Sequence, residues 1–554
     1  MRIGVPLAAL ACAMAIPAVA AVTTFDPATG LVTIPSVDVG GSSFISVTLQ
    51  HQGNYVFKLQ SYVGLDTPMP AVASYDLTSE TLTIPAVQVG DFTYLDVTLK
   101  HTGDLNFSLT GATQLEQSVV DEIRSIVVAR DAGYAFSVPT GAAAVQYLDR
   151  CWRHDGVTRD AVAGGHPAGD AHDVGRTTEK ITVTGSRRIT NPNGSARREI
   201  HVELDVRHAN GSVSKELPDR VISGSSSGTF RCPSEQAEEK LRFYGNQQFA
   251  GITAGWRTTR ASGYSIVTGA PLSPPTVWRR DMQFQVIEPL GRTNYAVVTG
   301  PGIGSRKLIS PYLMRSEPVL AGKRGNYINL ASDHPFLMCR APGNATPLAS
   351  AADCVAEGAS GYDVGLSAVT PNAAADAGFA ALGWAQYGVY RFDLYEGDGW
   401  KIVNGHTGVT PLETYYRLLP YIDSMNFVNA ATAIPALAPT TLTGPQLAAN
   451  VNSATPSPVD FSWSAFSSPH SSQSFRLYQG WNVHQGPKTG NAAGNAWPAY
   501  RSITPFALAD GSVRKIDWPI APRPGEQASK TYSDFTLQYR DGRGNEVLSV
   551  DVLQ

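Results

Sequence analysis

A segment near the N-terminus of the chain is duplicated, and its two copies are offset by 50 residues without a gap. Turn residues and apolar residues are retained together, which indicates one small β unit used twice, as in modular surface and binding proteins. The duplication identifies no reaction, but it restricts this region to a small repeated β fold. The identical pairs include Asp26/Asp76, Ile34/Ile84, Pro35/Pro85, Gly40/Gly90, Leu49/Leu99, His51/His101, Gly53/Gly103, Phe57/Phe107 and Leu59/Leu109.

The pattern within each copy predicts strands joined by tight turns. Ile45, Val47 and Leu49 alternate with polar residues, and a period of two indicates strands with one buried face. Gly53-Asn54 and Gly103-Asp104 are predicted to form the hairpin turns. A unit of this size buries little apolar surface alone, so we expect the two copies to share one core.

The first twenty residues have the features of a secretory signal peptide. Met1-Arg2 is followed by an apolar stretch up to Ile16 and by a small-residue ending at Ala20. A lipoprotein signal at Cys12 is a poorer alternative, because the residues before this cysteine match such a signal imperfectly. No later segment has the roughly 18 apolar residues of a membrane helix. We therefore expect a secreted protein, periplasmic or extracellular, that is cleaved near Ala20 and has no transmembrane segment.

Composition narrows the class of partner. Charged residues make up 16% of the 554 residues, and 43 basic residues are set against 47 acidic ones. No Lys/Arg cluster is interleaved with aromatic residues, so nucleic acid is not expected as a partner. The length predicts several domains, and the abundance of glycine and proline favours short strands and many turns.

After the repeats, the pattern predicts helices followed by an antiparallel sheet. Apolar residues three or four apart between Leu115 and Val127 indicate an amphipathic helix, and residues 200–206 alternate as a strand does. The region ends in Lys-Leu-Arg-Phe-Tyr-Gly-Asn-Gln-Gln at residues 240–248. This order and this run resemble the cone-shaped NTF2-like fold over residues 111–259. The resemblance implies a pocket but no particular reaction.

The C-terminal half is predicted to contain two β-sandwiches. Thr410-Pro411-Leu412-Glu413 matches a capping box, so we expect a short helix that continues to Leu419. Phe461-Ser462-Trp463-Ser464 resembles an early strand of fibronectin type III and immunoglobulin-like modules. The tryptophans of this half, including Trp384, are interpreted as core residues rather than as sugar-stacking platforms.

The sequence therefore predicts a mainly β, multidomain protein. As a whole it resembles modular secreted proteins of Gram-negative bacteria, a resemblance that implies no activity. The predicted parts are a signal peptide at 1–20, two tandem β repeats at 21–110, an α+β NTF2-like domain at 111–259, a β-sandwich with short helices at 260–428, a linker at 429–458, and a C-terminal fibronectin III/Ig-like sandwich at 459–554.

Four cysteines remain after signal cleavage, and an even number in an exported chain predicts disulfides. Three pairings are open, and the simplest keeps each bridge within one predicted domain. A zinc site is the rival interpretation, but no Cys-x-x-Cys spacing is present. The simplest pairing joins Cys151 to Cys232 and Cys339 to Cys354.

Catalytic signals are weak. Histidine and aspartate concentrate between residues 151 and 173, where an acid/base pair or metal site would draw on His166, Asp170, His172 and Asp173. The surrounding glycines favour a solvated loop instead. A Gly-x-Ser-x-Gly run at 224–228 lacks a helix after it and is interpreted as a loop. His51 and His101 lie at predicted strand ends without further metal ligands, and we interpret them as polar residues beside turns.

These observations predict an exported, non-catalytic binding protein or a structural protein of the cell envelope or extracellular space. No cofactor or metal is expected, and a protein or polysaccharide at the cell surface is the expected partner. The alternative is a secreted hydrolase or lyase with its site in the central α+β domain. Self-association through exposed edges of the repeats is a further hypothesis.

Overall fold

The computed structural model describes residues 22–165 continuously and a series of shorter stretches after them. No helix in these described stretches is long and apolar enough to cross a bilayer. The shorter stretches are 173–190, 196–209, 213–223, 241–265, 268–310, 336–338, 362–369, 371–396, 410–419, 437–439, 443–451, 453, 455, 457–463, 472–484, 495–496, 501–503, 516–518, 529–541 and 546–553.

The two repeats together form one closed barrel. The strand order is β1-β2-β3-β4-β8-β7-β6-β5, and further pairings of β1 with β6 and β5 with β2 close a seven-strand circuit. Copy 1 consists of β1 Thr23–Asp26, β2 Leu31–Val39, β3 Ser42–Gly53 and β4 Val56–Gly64, and copy 2 of β5 Ala73–Asp76, β6 Thr81–Val89, β7 Phe92–Gly103 and β8 Asn106–Gln114.

Closure of the barrel is reciprocal between the copies. β1 lies antiparallel to β2 of its own copy and parallel to β6 of the other, where Thr23 is opposite Val87. β5 repeats this arrangement between β6 and β2, where Ala73 is opposite Val37. One apolar cluster draws on both copies, including Ile34 from copy 1 and its equivalent from copy 2. The prediction of a shared core is therefore confirmed.

The hairpin turns lie one residue later than the sequence predicts. The central residues of the first turn are Asn54 and Tyr55, with φ of 48° and 60°, and those of the second are Asp104 and Leu105, with φ of 47° and 62°. Two positive φ values in a row are those of the type I′ turn. Gly53 is instead the last residue of β3, where it pairs with Val56 at a register shift.

The central region packs one long helix on one face of an antiparallel sheet. Helix α1 directs Ile123 and Val127 against the face of β12 that carries Val202 and Leu204. Ala86 and Leu95 of the barrel belong to the same cluster, so the barrel wall packs directly on this region. The elements are α1 Gln117–Gly133, α2 Gly141–Ala144, a 3-10 turn at Val145–Tyr147, β9 Arg153–His154, β10 Val157–Thr158, α3 Arg159–Ala163, β11 Thr177–Thr190, β12 Ala196–Arg207, β13 Val213–Ser223 and β14 Arg242–Phe243.

Residues 244–247 of the run at 240–248 form a clamp and are not part of a long final strand. Only Arg242–Phe243 is extended in the sheet. Gly245 has a φ of 74° and lies so close to Arg153 that a Cβ would be 2.0 Å from its carbonyl oxygen. The Asn246 side chain accepts from the Asp155 N–H at 3.0 Å and donates to the Asp155 carboxylate at 2.7 Å. The run therefore holds the β9–β10 hairpin.

A third sheet combines strands from the middle and the end of the chain. β15 crosses the predicted boundary at residue 259, and β30 pairs with it in parallel from Arg257/Glu546 to Tyr264/Leu553. The strand order of this third sheet is β20-β16-β15-β30-β29-β25-β26, and β27 also pairs with β25. The strands are β15 Gly251–Tyr264, β16 Pro271–Ile287, β20 Tyr362–Val369, β25 Ser472–His484, β26 Asn495–Ala496, β27 Arg501–Ile503, β29 Ser529–Asp541 and β30 Glu546–Leu553.

A five-stranded sheet packs against strands β15 and β16 of the third sheet. Their common core contains Trp256, Phe284, Tyr390 and Trp384, so the interpretation of Trp384 as a core residue is confirmed. The order is β19-β18-β17-β21-β22. The elements are β17 Tyr295–Gly300, β18 Gly304–Ile309, β19 Leu337–Met338, α4 Ala373–Ala380, β21 Gly388–Tyr395 and β22 Glu413–Leu419.

The prediction of a helix after the capping box at residues 410–413 is wrong. Glu413–Leu419 is β22, which pairs with β21 along its whole length. Tyr415 and Leu419 are buried in the core, and a strand gains a hydrogen-bonded neighbour there that overrides the local helix signal.

Two elements lie within the segment predicted as a linker. β23 Leu437–Pro439 pairs with β24 Val459–Trp463, which pairs in turn with β28 Ile516–Trp518. α5 Gly444–Val451 buries Leu447 and Ala448. Burial of apolar residues thus orders part of a segment whose composition is typical of a linker.

Candidate functional site

The predicted acid/base cluster is only partly within the described residues. His166, Asp170 and His172 lie outside them, as does the Gly-x-Ser-x-Gly run at 224–228. Asp173 is described, and its carboxylate accepts from Arg176 at 3.3 Å. Arg176 also donates to the buried Asp131 at 3.1 Å, and Asp131 accepts the Thr178 N–H at 2.7 Å. Asp173 therefore belongs to a charged cluster that joins helix α1 to the start of β11.

Within the described part of the chain, Cys151 and the repeat histidines belong to no group of metal ligands. Cys232, Cys339 and Cys354 lie outside the described residues, so the pairing with Cys151 stays a prediction. The rings of His51 and His101 pack on the phenylalanines at 57 and 107, with centroids 5.1 and 5.3 Å apart. Among the described residues, no group of three His, Cys, Asp or Glu side chains is arranged to hold a metal ion.

A cavity of about 290 Å³ lies inside the barrel, on the side formed mainly by copy 1. Its wall is apolar, and both copies supply it. The lining residues are Val37, Val39, Phe44, Val47, Leu49, Leu59 and Tyr62 from copy 1 and Tyr75, Leu82, His101, Leu105 and Phe107 from copy 2. We call this the barrel cavity.

One wall of the barrel cavity comes from a side chain that copy 2 lacks. Tyr62 packs edge-on against Phe44, with ring centroids 5.4 Å apart and an interplanar angle of 87°. The equivalent positions hold Tyr94 and Ala112, so the second ring of the pair is missing in copy 2. The duplication is therefore symmetric in its backbone but not in the side chains of this wall. A direct comparison of the two copies could have revealed this difference.

The cavity opens where β4 and β8 part. These strands pair only at Val56–Lys58, and the Leu59 N–H then donates to the Leu105 carbonyl at 3.0 Å. Tyr62 and Leu105 line the cavity and are nevertheless 52% and 54% exposed. We infer that these two side chains mark the opening, between the outer part of β4 and the tip of the second hairpin.

The Tyr75 phenol in the wall introduces no charge. Burial raises the pKa of the Tyr75 phenol, and the nearby Glu80 and Asp76 carboxylates raise it further. The phenol is therefore neutral at physiological pH, and its ring packs edge-on against Phe107 at 6.1 Å. A site with this wall binds an apolar group by removing it from water.

A second polar cluster lies on β11 and β12 of the central region. The fully buried Glu199 carboxylate is 2.6 Å from His201 Nε2 and 2.8 Å from Arg187 Nε. A buried carboxylate of this kind orients an imidazole, which is an arrangement used in acid–base chemistry. The alternation of residues 199–205 identified these positions only as one polar face of a strand.

Comparisons with known proteins assign no family. No family model matches the chain, and no curated protein matches it. One solved structure, titled "Structural insight into host cell surface retention of a 1.5-MDa bacterial ice-binding adhesin", aligns over 64% of this chain and 90% of its own, at 8% identity. Its TM-score of 0.12 is too low to carry an argument about fold or function. The NTF2-like and fibronectin-like resemblances therefore stay predictions, and the chain is established as a mainly β protein without an assigned family.

Proposed function

We propose that this is an exported protein that binds a ligand without catalysis, and that the barrel cavity is its binding site. One observation carries the proposal: an apolar cavity of about 290 Å³ opens to solvent at the junction of the two repeats. The signal-peptide pattern at residues 1–20 supports export. The duplicated β architecture supports a binding role rather than a reaction.

The size of the cavity indicates what can enter it. An apolar cavity of roughly 150 Å³ holds benzene in another protein. The barrel cavity has about twice that volume, so it suits a group of two fused rings or a branched aliphatic group. Burial contributes about 0.8 kcal/mol for each CH₂ group removed from water, which is enough for measurable binding.

The proposal is tested with the neutral fluorescent probe N-phenyl-1-naphthylamine. We expect saturable binding at one site per chain, and we expect Val47→Phe to weaken it about tenfold or more by filling the cavity. Val97→Phe is the matched control, because Val97 is equally buried at the equivalent position and does not line the cavity. Equal binding by the folded wild-type protein and Val47→Phe would show that the probe binds elsewhere.

A second candidate function is favoured by the Glu199–His201 pair. The alternative of a hydrolase or lyase with its site in the central region would use His201 as acid or base, oriented by the buried carboxylate. Turnover of an ester, glycoside or peptide by the purified protein, lost in Glu199→Gln and His201→Gln, would establish it. Absence of turnover across such a panel leaves binding as the better account.

A further inference from the structure

The outer part of β4 is an edge strand beside the opening of the barrel cavity. Beyond the bond from Leu59 to Leu105, residues 60–64 pair only with β3 within the described part of the chain. Copy 2 repeats this arrangement, because residues 110–114 of β8 pair only with β7 among the described strands. Each copy thus leaves a row of backbone N–H and C=O groups along one edge.

Both edges lack charged residues and proline, which are two of the usual protections against pairing with other strands. Natural edge strands commonly carry charged residues or proline. Residues 60–64 are Gln-Ser-Tyr-Val-Gly and residues 110–114 are Thr-Gly-Ala-Thr-Gln, so both lack charge and proline. Only the edge at 60–64 also contributes Tyr62 to the cavity wall. An open, uncharged edge next to an apolar pocket is the combination found in strand-addition binding sites.

We propose that residues 60–64 form a strand-addition site, at which an extended segment of a partner protein pairs with β4 and inserts an apolar side chain into the barrel cavity. This inference rests on the proposed function, and it names the class of ligand. The two halves of the site have separate tasks. The edge recognises the backbone of the segment, and the cavity selects the side chain.

The chemistry of the site favours a polypeptide over a small apolar molecule. A small molecule fills the cavity but leaves the backbone groups at the edge of β4 to water. An added strand fills the cavity and also pairs with these backbone groups. Alternate side chains of an added strand point to the same face. One of them would therefore enter between Tyr62 and Leu105 while its neighbours point outward. The expected segment alternates small or β-branched residues around one large apolar residue.

The β8 edge of a second copy of this chain fits the opening poorly. Its residues 110–114 are Thr-Gly-Ala-Thr-Gln, so it would offer no large apolar side chain to a cavity of about 290 Å³. The edge at 110–114 also lacks a counterpart of Tyr62. It therefore provides a control edge within the same molecule.

The full chain is tested with a capped nine-residue peptide that alternates threonine and valine, with tryptophan in the centre and lysine at each end. A second peptide has the same side chains but alternate N-methylated amides. Calorimetry should show one-site binding of the first peptide, and the N-methylated peptide should bind about tenfold more weakly or worse, because it cannot complete the ladder. N-phenyl-1-naphthylamine should compete with the first peptide for the cavity.

A proline in the edge provides the protein variant. The Leu65 N–H donates to the Ser43 carbonyl of β3 at 2.9 Å, so the N–H of Gly64, one residue earlier, points away from β3 toward the open edge, where proline is tolerated. We expect Gly64→Pro to weaken the peptide about tenfold, because it removes an edge donor, while the naphthylamine probe binds as before. Gln114→Pro is the equivalent change in β8, where the N–H of the following residue donates to β7 at 2.9 Å, and it should leave both ligands unaffected.

The outcomes separate this inference from the proposed function. If the probe binds but the peptide does not, or both peptides bind equally, strand addition is wrong while the cavity remains a binding site. If neither binds to the folded protein, both proposals fail. If sedimentation shows dimers that Gly64→Pro dissociates and the peptide does not bind, the edge serves a second copy and the inference is overturned. Should Gly64→Pro unfold, the comparison of the two peptides on the wild-type protein still decides.

Discussion

Phe57 of β4 lies directly opposite Phe107 of β8, and these two residues hold the same position in the two copies of the repeat. A self-equivalent pair of this kind marks a local two-fold axis through the barrel wall. The reciprocal pairings of β1 with β6 and β5 with β2 obey the same symmetry. Because each copy contributes a strand that closes the other, neither copy is a separate folding unit.

The shared barrel predicts that damage to one copy is felt in the other. Ile84 of copy 2 is 1% exposed, and Ile84→Ala should destabilise the barrel by about 2–5 kcal/mol through a buried cavity. Hydrogen exchange should then accelerate in β2 and β3 of copy 1 as much as in β6 and β7. Retained protection in copy 1 alone would show that the copies fold independently.

The clamp at residues 244–247 predicts an unusually costly glycine substitution. Gly245→Ala places a Cβ 2.0 Å from the Arg153 carbonyl oxygen, so the β9–β10 hairpin must move. Gly291→Ala is the matched control, because Gly291 has a φ of 67° but nothing within 4 Å of its Cβ position. Thermal melting should show a loss of about 1 kcal/mol for the control and several-fold more for Gly245→Ala. Equal losses would mean that φ alone, and not the close contact, matters.

The cluster of Asp131 and Arg176 predicts a large effect of removing one buried charge. Both side chains are nearly inaccessible, and their atoms are 3.1 Å apart. Asp131→Asn removes the carboxylate that accepts from Arg176 and from the Thr178 N–H and leaves Arg176 with Asp173, so the loss should be about 3 kcal/mol, the lower end for breaking a buried pair. Glu179→Gln removes the partner of Arg207 in an ion pair that is about half exposed, and should cost about 0–1 kcal/mol. Denaturant unfolding followed by circular dichroism measures both, and similar losses would contradict a special role for the buried pair.

Burial of Tyr415 predicts a loss of stability at alkaline pH. Burial, with a smaller contribution from the Glu413 carboxylate, raises the pKa of this phenol to about 12. The stability that a raised pKa provides is fully present below the unfolded pKa of 10 and is lost as pH rises through the folded pKa. Between pH 10 and 12 the wild-type protein should therefore lose about 2 kcal/mol more than Tyr415→Phe. If the free energy of unfolding falls in parallel for the two proteins, the pKa of Tyr415 does not differ between the folded and unfolded states.

Local pattern was sufficient for elements that need little tertiary support. The alternation at Ile45, Val47 and Leu49 predicts β3, and the spacing between Leu115 and Val127 predicts helix α1, because burial of one face follows from residue period alone. The hairpin turns were predicted to within one residue. The helix expected before Leu419 was wrong because pairing with β21 outweighs a capping signal that acts over a single turn.

The site depended on relations that no local pattern contains. The sequence by itself determined that a β unit occurs twice, that residues 60–64 and 110–114 lack charge, and that Tyr62 has alanine as its counterpart. Only the tertiary structure decided that β1 and β5 each pair with a strand of the other copy. The tertiary structure also decided that β4 and β8 separate after three paired residues and that a cavity opens there. Strand order, sheet closure and unfilled volume arise from contacts between residues far apart in the chain, and residue periodicity carries no information about which strands meet.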